Sequence, residues 1–446
     1  MATTGGEQGL TPITTAPVLD DSAADLTAAH VDVIPPEIAA QTLNEYLRAW
    51  VARVRGGDAG MLPVVIALIA VTVVFTILSP VFLSPGNLVN LFDQSAVFIV
   101  LAVGEGFVLL LGEIDLSIGY VAAIGGIVAG LLVQPSPNLP WWLAIIGGLL
   151  ACAAIGGIQG LIITRLRMPA FIVTLAGYLI WFGVMIEILG TAGGVSITGS
   201  NLANQKALYD IVYGYIDPTV SWILLVVVIV VFGAIMWRRD AGRRRSGLVA
   251  PPVGLTVAKI ALVAIAGIAI VAICNVNRGT FSPVEGVPYV IPLILLVIVA
   301  WSILLERMQF GRHMYAVGGN PEAARRAGIN VARVRTMAFV LCSLTSAIAG
   351  IIYLSWLGGM TTNINGGQLV LYAVAAAVIG GTSLFGGRGR AIHGLLGGLV
   401  IGAIYNGLYL LGLPIQWQLI VTGLVLLAAV SVDSLSRGRS TSMARA

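Results

Sequence analysis

The sequence predicts an all-α polytopic membrane protein, on three observations. Of its 446 residues 58% are hydrophobic and only 10% charged, with a mean hydropathy of +0.97, where ordinary soluble domains carry about 25% charged residues. The apolar residues come in runs close to the ~20 residues that a helix needs to cross a bilayer. The basic residues fall in alternate connections, as the topology of membrane helices requires.

The chain begins with a polar, acidic stretch (Asp20, Asp21, Asp25, Asp32, Glu37) that lacks the basic-then-apolar start of a cleavable leader. Residues 1–55 read as a disordered cytoplasmic extension that ends in a short amphipathic helix around 36–54. The transmembrane domain then occupies 56–435, and 436–446 is a cytoplasmic tail. Twelve spans are expected, at 61–83, 95–111, 117–134, 140–164, 169–190, 219–237, 254–274, 287–305, 336–357, 370–386, 392–412 and 414–433. The boundaries at 111–117 and 386–392 are soft and admit a broken or re-entrant helix.

Placing the N-terminus inside and alternating the spans tests this reading. Of the 24 Lys and Arg residues, all but Lys206 and Arg278 then lie on the cytoplasmic side, so both termini are expected to be cytoplasmic. The net charge of +4 is thereby explained by topology and gives no case for a nucleic-acid partner. The long outer connection is 191–218 and the largest inner one is 306–335. "LLGEIDLSIG" (110–119) echoes "VIGGTSLFGG" (378–387), and "GGLLACAAIGG" (147–157) echoes "GGLVIGAIYNG" (397–407). Either the chain holds two related halves, as transporters often do, or helices of small residues simply look alike. The small-xxx-small pairs Gly126/Gly130 and Gly156/Gly160 permit close helix contact. Cys152, Cys274 and Cys342 lie in apolar runs and suit packed thiols.

Signatures of catalysis are missing. Neither Lys206 nor Lys259 sits in a phosphate-cradling G-x-x-x-x-G-K-[ST] loop, and His30, His313 and His393 are scattered without a metal-ligand pattern. No catalytic residues, metal ligands or cofactor of its own are expected.

One inner stretch departs from the apolar text: "GGNPEAARRAGI" (318–329). Asn320 is a good N-cap, Pro321 suits the first helical position, and Glu322 complements the positive helix end. Gly328 fits the position past the C-terminus. A helix of about two turns is too short to stand alone in water, so flanking spans or a partner must hold it. It is either an ordinary connector or a lever that docks on a cytoplasmic protein.

These residues carry a resemblance. "EAARRAG" (322–328) is similar to the EAA-x-x-x-G signature of importer permeases of the ATP-binding cassette (ABC) class. "GRHMYAVGGNPEAARRAGINVARVR" (311–335), "GEIDLSIG" (112–119), "AVIGGTSLFGGRG" (377–389) and "GLYLLGLPIQWQLIVTGLVLLAAV" (407–430) resemble the ribose/xylose-type sugar permeases. The resemblance spans about 60–218 and 280–435. It implies a permease subunit in the bacterial inner membrane, a second copy of itself, two cytoplasmic ABC ATPase domains that bind ATP and Mg, and an extracytoplasmic sugar-binding protein. Asn320, Pro321, Glu322, Ala323, Ala324, Arg325 and Gly328 would form the coupling helix. The pair of spans at 219–274 looks like an insertion into a ten-span core, as in longer xylose-type permeases. Two acids depart from the pattern: Glu113 replaces the second glycine of the family's "GGIDLSVG", and Glu105 stands where an uncharged residue is usual.

Charges inside a bilayer are costly and normally face a partner or a watery path. Asp115 and Ser117 either cap the free N–H groups of the third span or contact the sugar. Glu105 either lines a pathway or pairs across helices. Gln159, Asn406 and Gln418 either bind a neutral polyol or join helices by hydrogen bonds. The outer loop 358–369 is either part of the surface that receives the binding protein or a plain turn. Two rival functions stand: a proton-coupled secondary transporter that uses Glu105, Glu113 or Asp115, and a cassette permease for nucleosides or another sugar-like solute.

Overall fold

The computed structural model describes residues 42–55, 60–198, 202–248, 250–280, 282–424 and 427. The acidic stretch up to residue 41 and the tail at 436–446 lie outside them. The helices in chain order are α1 (Leu43–Arg55), α2 (Leu62–Leu78), α3 (Pro85–Leu109), α4 (Ile118–Leu132), α5 (Trp141–Arg165), α6 (Ala170–Leu189), α7 (Ala203–Tyr213), α8 (Pro218–Arg245), α9 (Val253–Cys274), α10 (Val290–Arg307), α11 (Gln309–Gly319), α12 (Pro321–Arg326), α13 (Val331–Leu357), α14 (Gly366–Ile379) and α15 (Ala391–Leu410). Residues 415–424 are helical as well. The described residues also hold two short antiparallel ribbons: β1 (Gly194–Ser196) with β4 (Gly359–Thr361), and β2 (Tyr215–Ile216) with β3 (Val287–Pro288).

Among the described residues eight helices (α3, α5, α6, α8, α9, α10, α13, α15) are long and apolar enough to cross a membrane, and α2, α4 and α14 are shorter apolar helices. The chain is a multi-pass membrane protein. Helix α3 is the axis of the bundle, with 89% of its apolar window buried, whereas only 6% of that of α8 is buried. Helix α13 packs on α3, α4 and α5, while α15 and α14 pack on α3 and on each other. Lipid tails are as apolar as the side chains, so close backbone packing, not water exclusion, holds such helices together. The glycine spacings serve this purpose. A Cβ on Gly126 would strike Gly350 of α13, and one on Gly156 would strike the Phe339 carbonyl. At Gly160 the neighbour is Thr336, whose hydroxyl bonds the Gly160 carbonyl at 3.2 Å.

Several boundaries differ from the sequence reading, among them the end of α2 at Leu78 rather than 83 and of α8 at Arg245 rather than 237. Helix α3 begins at Pro85 rather than near 95, because Asn87, Asp93 and Gln94, which lower the local hydropathy, are buried in the bundle. Ser84 caps it by accepting from the Asn87 N–H. Helix α13 starts five residues early, at Val331, capped by Asn330. Helix α14 ends at Ile379 rather than 386, so 380–390 is a helix break like 110–117. The supposed long outer loop also contains α7, and the inner one contains α11 before the capped helix.

Helix α9 docks on the start of α3 through Val271 and Cys274 against Val89 and Val287. Helix α8 pairs with α9, and Thr256 bonds Asp240 at 2.8 Å near their turn. The three cysteines are buried and unpaired. Connections gather at two ends of the bundle. Both ribbons and α7 cluster at the C-terminal end of α13, where Ser355 bonds the Val212 N–H and Tyr213 bonds the Trp356 carbonyl. The breaks at 110–117 and 380–390 meet α11 and α12 at the other end.

Candidate functional site

Helix α12 is built from its own residues outward. The Asn320 side chain accepts from the Ala323 N–H at 3.0 Å, and Pro321 occupies the first turn, where a missing N–H costs nothing. At the other end Ile329 N–H reaches the Ala324 carbonyl and Gly328 N–H the Arg325 carbonyl, with Gly328 at φ +82°. This is a Schellman closure, and Ile329 packs against the apolar cluster that contains Ala324, as such closures favour. Ala324 is 4% exposed and joins a cluster with Phe107, Leu110, Met314, Val317 and Val334. The other face is open: Glu322 and Arg325 pair at 2.7 Å with both side chains more than half exposed. A six-residue helix is thus held by one buried alanine and two caps, and it presents a polar surface.

The same segment grips both helix breaks. The C-terminal turn of α11 wedges Gly318 against the Leu110 carbonyl and Gly387, where any Cβ would collide. Gly387 N–H donates to the Leu110 carbonyl at 2.9 Å, so the two breaks are also bonded to each other. Tyr315 donates to the Gly389 carbonyl at 2.7 Å. Burial, with Glu306 nearby, raises its phenol above the ordinary range. Arg390 pairs with Glu306 at 2.8 Å, and Arg335 of α13 lies 2.9 Å from Glu113.

Glu105, Asp115, Ser117 and Gln159 come together in one buried network. Glu105 Oε1 accepts the Asp115 N–H at 3.0 Å, and Asp115 Oδ1 accepts both the N–H and the hydroxyl of Ser117 at 2.9 and 2.6 Å. Gln159 Nε2 donates to Ser117 Oγ at 2.8 Å. Asp115 therefore satisfies backbone and hydroxyl where the chain leaves α3 and enters α4. Asn406 sits elsewhere, in a ring with Asn87 and Gln94 that ties α15 to α3 at 2.8 to 3.1 Å. Gln418 bonds the Leu413 carbonyl at 3.0 Å.

A half-open groove of about 370 Å³ runs between α6 and α14, lined by Leu116, Leu175, Tyr178, Asn365, Gln368 and Leu419 among others. The network touches its wall. Gln159 and Trp181 both flank Gly177 of α6, one residue before Tyr178. The Gln159 Oε1 acceptor and the Trp181 Nε1 donor are buried without partners. Tyr178 was hidden inside an apolar run, and Gln368 lies in the outer loop 358–369, where no pattern set it apart from its neighbours. Glu113 did carry a signal, as an acid where the resemblance has glycine.

A bundle of membrane helices whose breaks are tied to an exposed, capped helix at one end defines a membrane permease of a transport system. The chain belongs to the family described as branched-chain amino acid transport system, permease component, whose model matches residues 87–430. It is 35% identical over 376 residues to the xylose transport system permease protein XylH of Escherichia coli, covering 84% of this chain and 91% of that one. It is 33% identical over 384 residues to XylH of Haemophilus influenzae, covering 84% and 96%. To the ribose import permease protein RbsC of Bacillus subtilis it is 34% identical over 370 residues, covering 82% and 91%. No solved structure matches it. These relatives bear out the resemblance to ribose/xylose-type permeases that the motifs carried, and they leave the proton-coupled reading without support.

Proposed function

We propose that this chain is the membrane subunit of an ABC importer for a neutral monosaccharide of the xylose type. It makes no covalent intermediate and transfers no phosphate; ATP and Mg bind to two cytoplasmic ATPase domains that dock on the open face of α12. A secreted sugar-binding protein delivers cargo at the end formed by the two ribbons. Twelve spans with both termini in the cytoplasm place α12 on the ATPase side, in keeping with the confinement of Lys and Arg to that side. A second copy of the chain completes the pathway along the groove between α6 and α14. Neutral donors and acceptors on apolar walls suit a polyol, and a groove of about 370 Å³ falls within the roughly 300–1,000 Å³ of small-molecule sites.

The observation that carries this reading is α12 itself: a short helix, polar on its open face, capped at both ends and joined through α11 to the two breaks that interrupt the bundle. Closure of the ATPases displaces α12, the breaks follow, and access alternates between the two faces. The test is uptake of labelled xylose by the permease reconstituted with its ATPase and binding protein. Transport and sugar-stimulated ATP hydrolysis are expected, with Gln368→Leu lowering uptake. The expected effect of Gly328→Pro is loss of stimulation with the complex still assembled. Normal stimulation in the Pro variant rejects α12 as the lever.

A further inference from the structure

We infer that Glu113 and Arg335 form the strut that transmits the motion of α12 to the break between α3 and α4; this rests on the coupling role proposed above for α12. Each break is tied to the 306–335 segment by one ion pair: 380–390 through Arg390 and Glu306, and 110–117 through Arg335 and Glu113. The two pairs are unequal. Arg390 and Glu306 are 54% and 40% exposed, and exposed pairs of this kind contribute little. Glu113 is 9% exposed and Arg335 35%, so their attraction is less screened by water.

The route from lever to strut is short and stiff. Helix α12 ends in the Schellman closure at Gly328, Asn330 caps α13 by accepting from the Arg333 N–H at 2.9 Å, and Arg335 follows in the second turn. Glu113 lies two residues before Asp115, whose N–H and carboxylate set the entry into α4. A pull on Arg335 therefore acts on the segment that positions the Asp115–Ser117–Gln159 network and, beyond it, the groove wall at Gly177. The pair is also free to change partners. Arg335 Nε approaches Glu113 Oε1 to 2.9 Å without the alignment of a hydrogen bond, and Glu113 Oε2 is buried with no partner. A fixed structural bridge would have both oxygens satisfied; a half-satisfied one is cheaper to rearrange during a cycle.

The strut is tested in proteoliposomes that hold the permease, its ATPase and its binding protein, by measuring xylose uptake and ATP hydrolysis on the same preparation. Glu113→Gln removes the charge and keeps the shape. Its expected effect is a fall of about fivefold or more in sugar moved per ATP hydrolysed, the scale of a typical coupling energy, with hydrolysis itself retained. The exchanged pair Glu113→Arg with Arg335→Glu should recover most of that ratio. A purely local packing role would lower complex yield and both rates together, and would leave the ratio unchanged. A wild-type ratio in Glu113→Gln overturns the strut. If that variant does not assemble, Arg335→Gln gives the same readout from the more exposed partner, and a wild-type ratio there overturns it as well. Gly328→Pro is measured alongside: if it stays coupled, the lever reading fails, whereas an uncoupled Gly328→Pro with a coupled Glu113→Gln rejects the strut alone.

Discussion

Asp115 shows how a buried carboxylate acts when no cation is bonded to it. Its Oδ1 accepts two donors from Ser117, and its own N–H is taken by Glu105. The sequence left two roles open for it; in the structure its carboxylate accepts from Ser117 at the helix break, while Ser117 itself makes no side-chain cap to α4. Asp115→Ala strands the Ser117 N–H and hydroxyl in a buried site. An orphaned buried group costs roughly 1–3 kcal/mol, so the variant should melt earlier than wild type by thermal unfolding in nanodiscs. Asp115→Asn, which keeps an acceptor oxygen, should melt closer to wild type. Equal melting of all three would mean that these bonds add nothing to stability. Capping residues were legible at this scale, because Asn320, Pro321 and Gly328 act on backbone within a few residues of themselves. The reach of the network beyond Ser117 was not, since Gln159 lies 42 positions from Ser117 and only packing brings it near.

Among the elements, the twelve apolar runs each have a helical counterpart among the described residues, the last of them only over 415–424. Hydropathy found their middles and missed ends where polar residues are buried, as in the first turns of α3. It also missed α7 and α11, which are short and of mixed polarity. Where helices touch was written in glycine. Gly156 and Gly160 of α5 face Phe339 and Thr336 of α13, with no room for a side chain at either. Gly156→Leu must part α5 from α13, and overpacking of this sort costs about 1–3 kcal/mol or more. Reduced yield of folded protein by size-exclusion profile is the expected outcome. Gly157, one position on, meets only a Val340 methyl at 3.8 Å, and Gly157→Ala should behave as wild type.

At the scale of the whole molecule the proposed function makes the chain a gate driven by partner ATPases. Reconstituted alone in vesicles with a proton gradient imposed, it should accumulate no xylose. Uphill accumulation under those conditions would return the proton-coupled reading. Composition, the spacing of apolar runs and the distribution of arginine determined the class by themselves, because the bilayer tests each segment one at a time for length, apolarity and charge. The capped helix was equally local. Tertiary structure alone decided that the two breaks meet, that α11 grips them both, that six polar residues divide among separate networks, and that a groove opens beside Tyr178. Those facts depend on residues far apart in sequence reaching contact distance, and no single segment encodes its own neighbours.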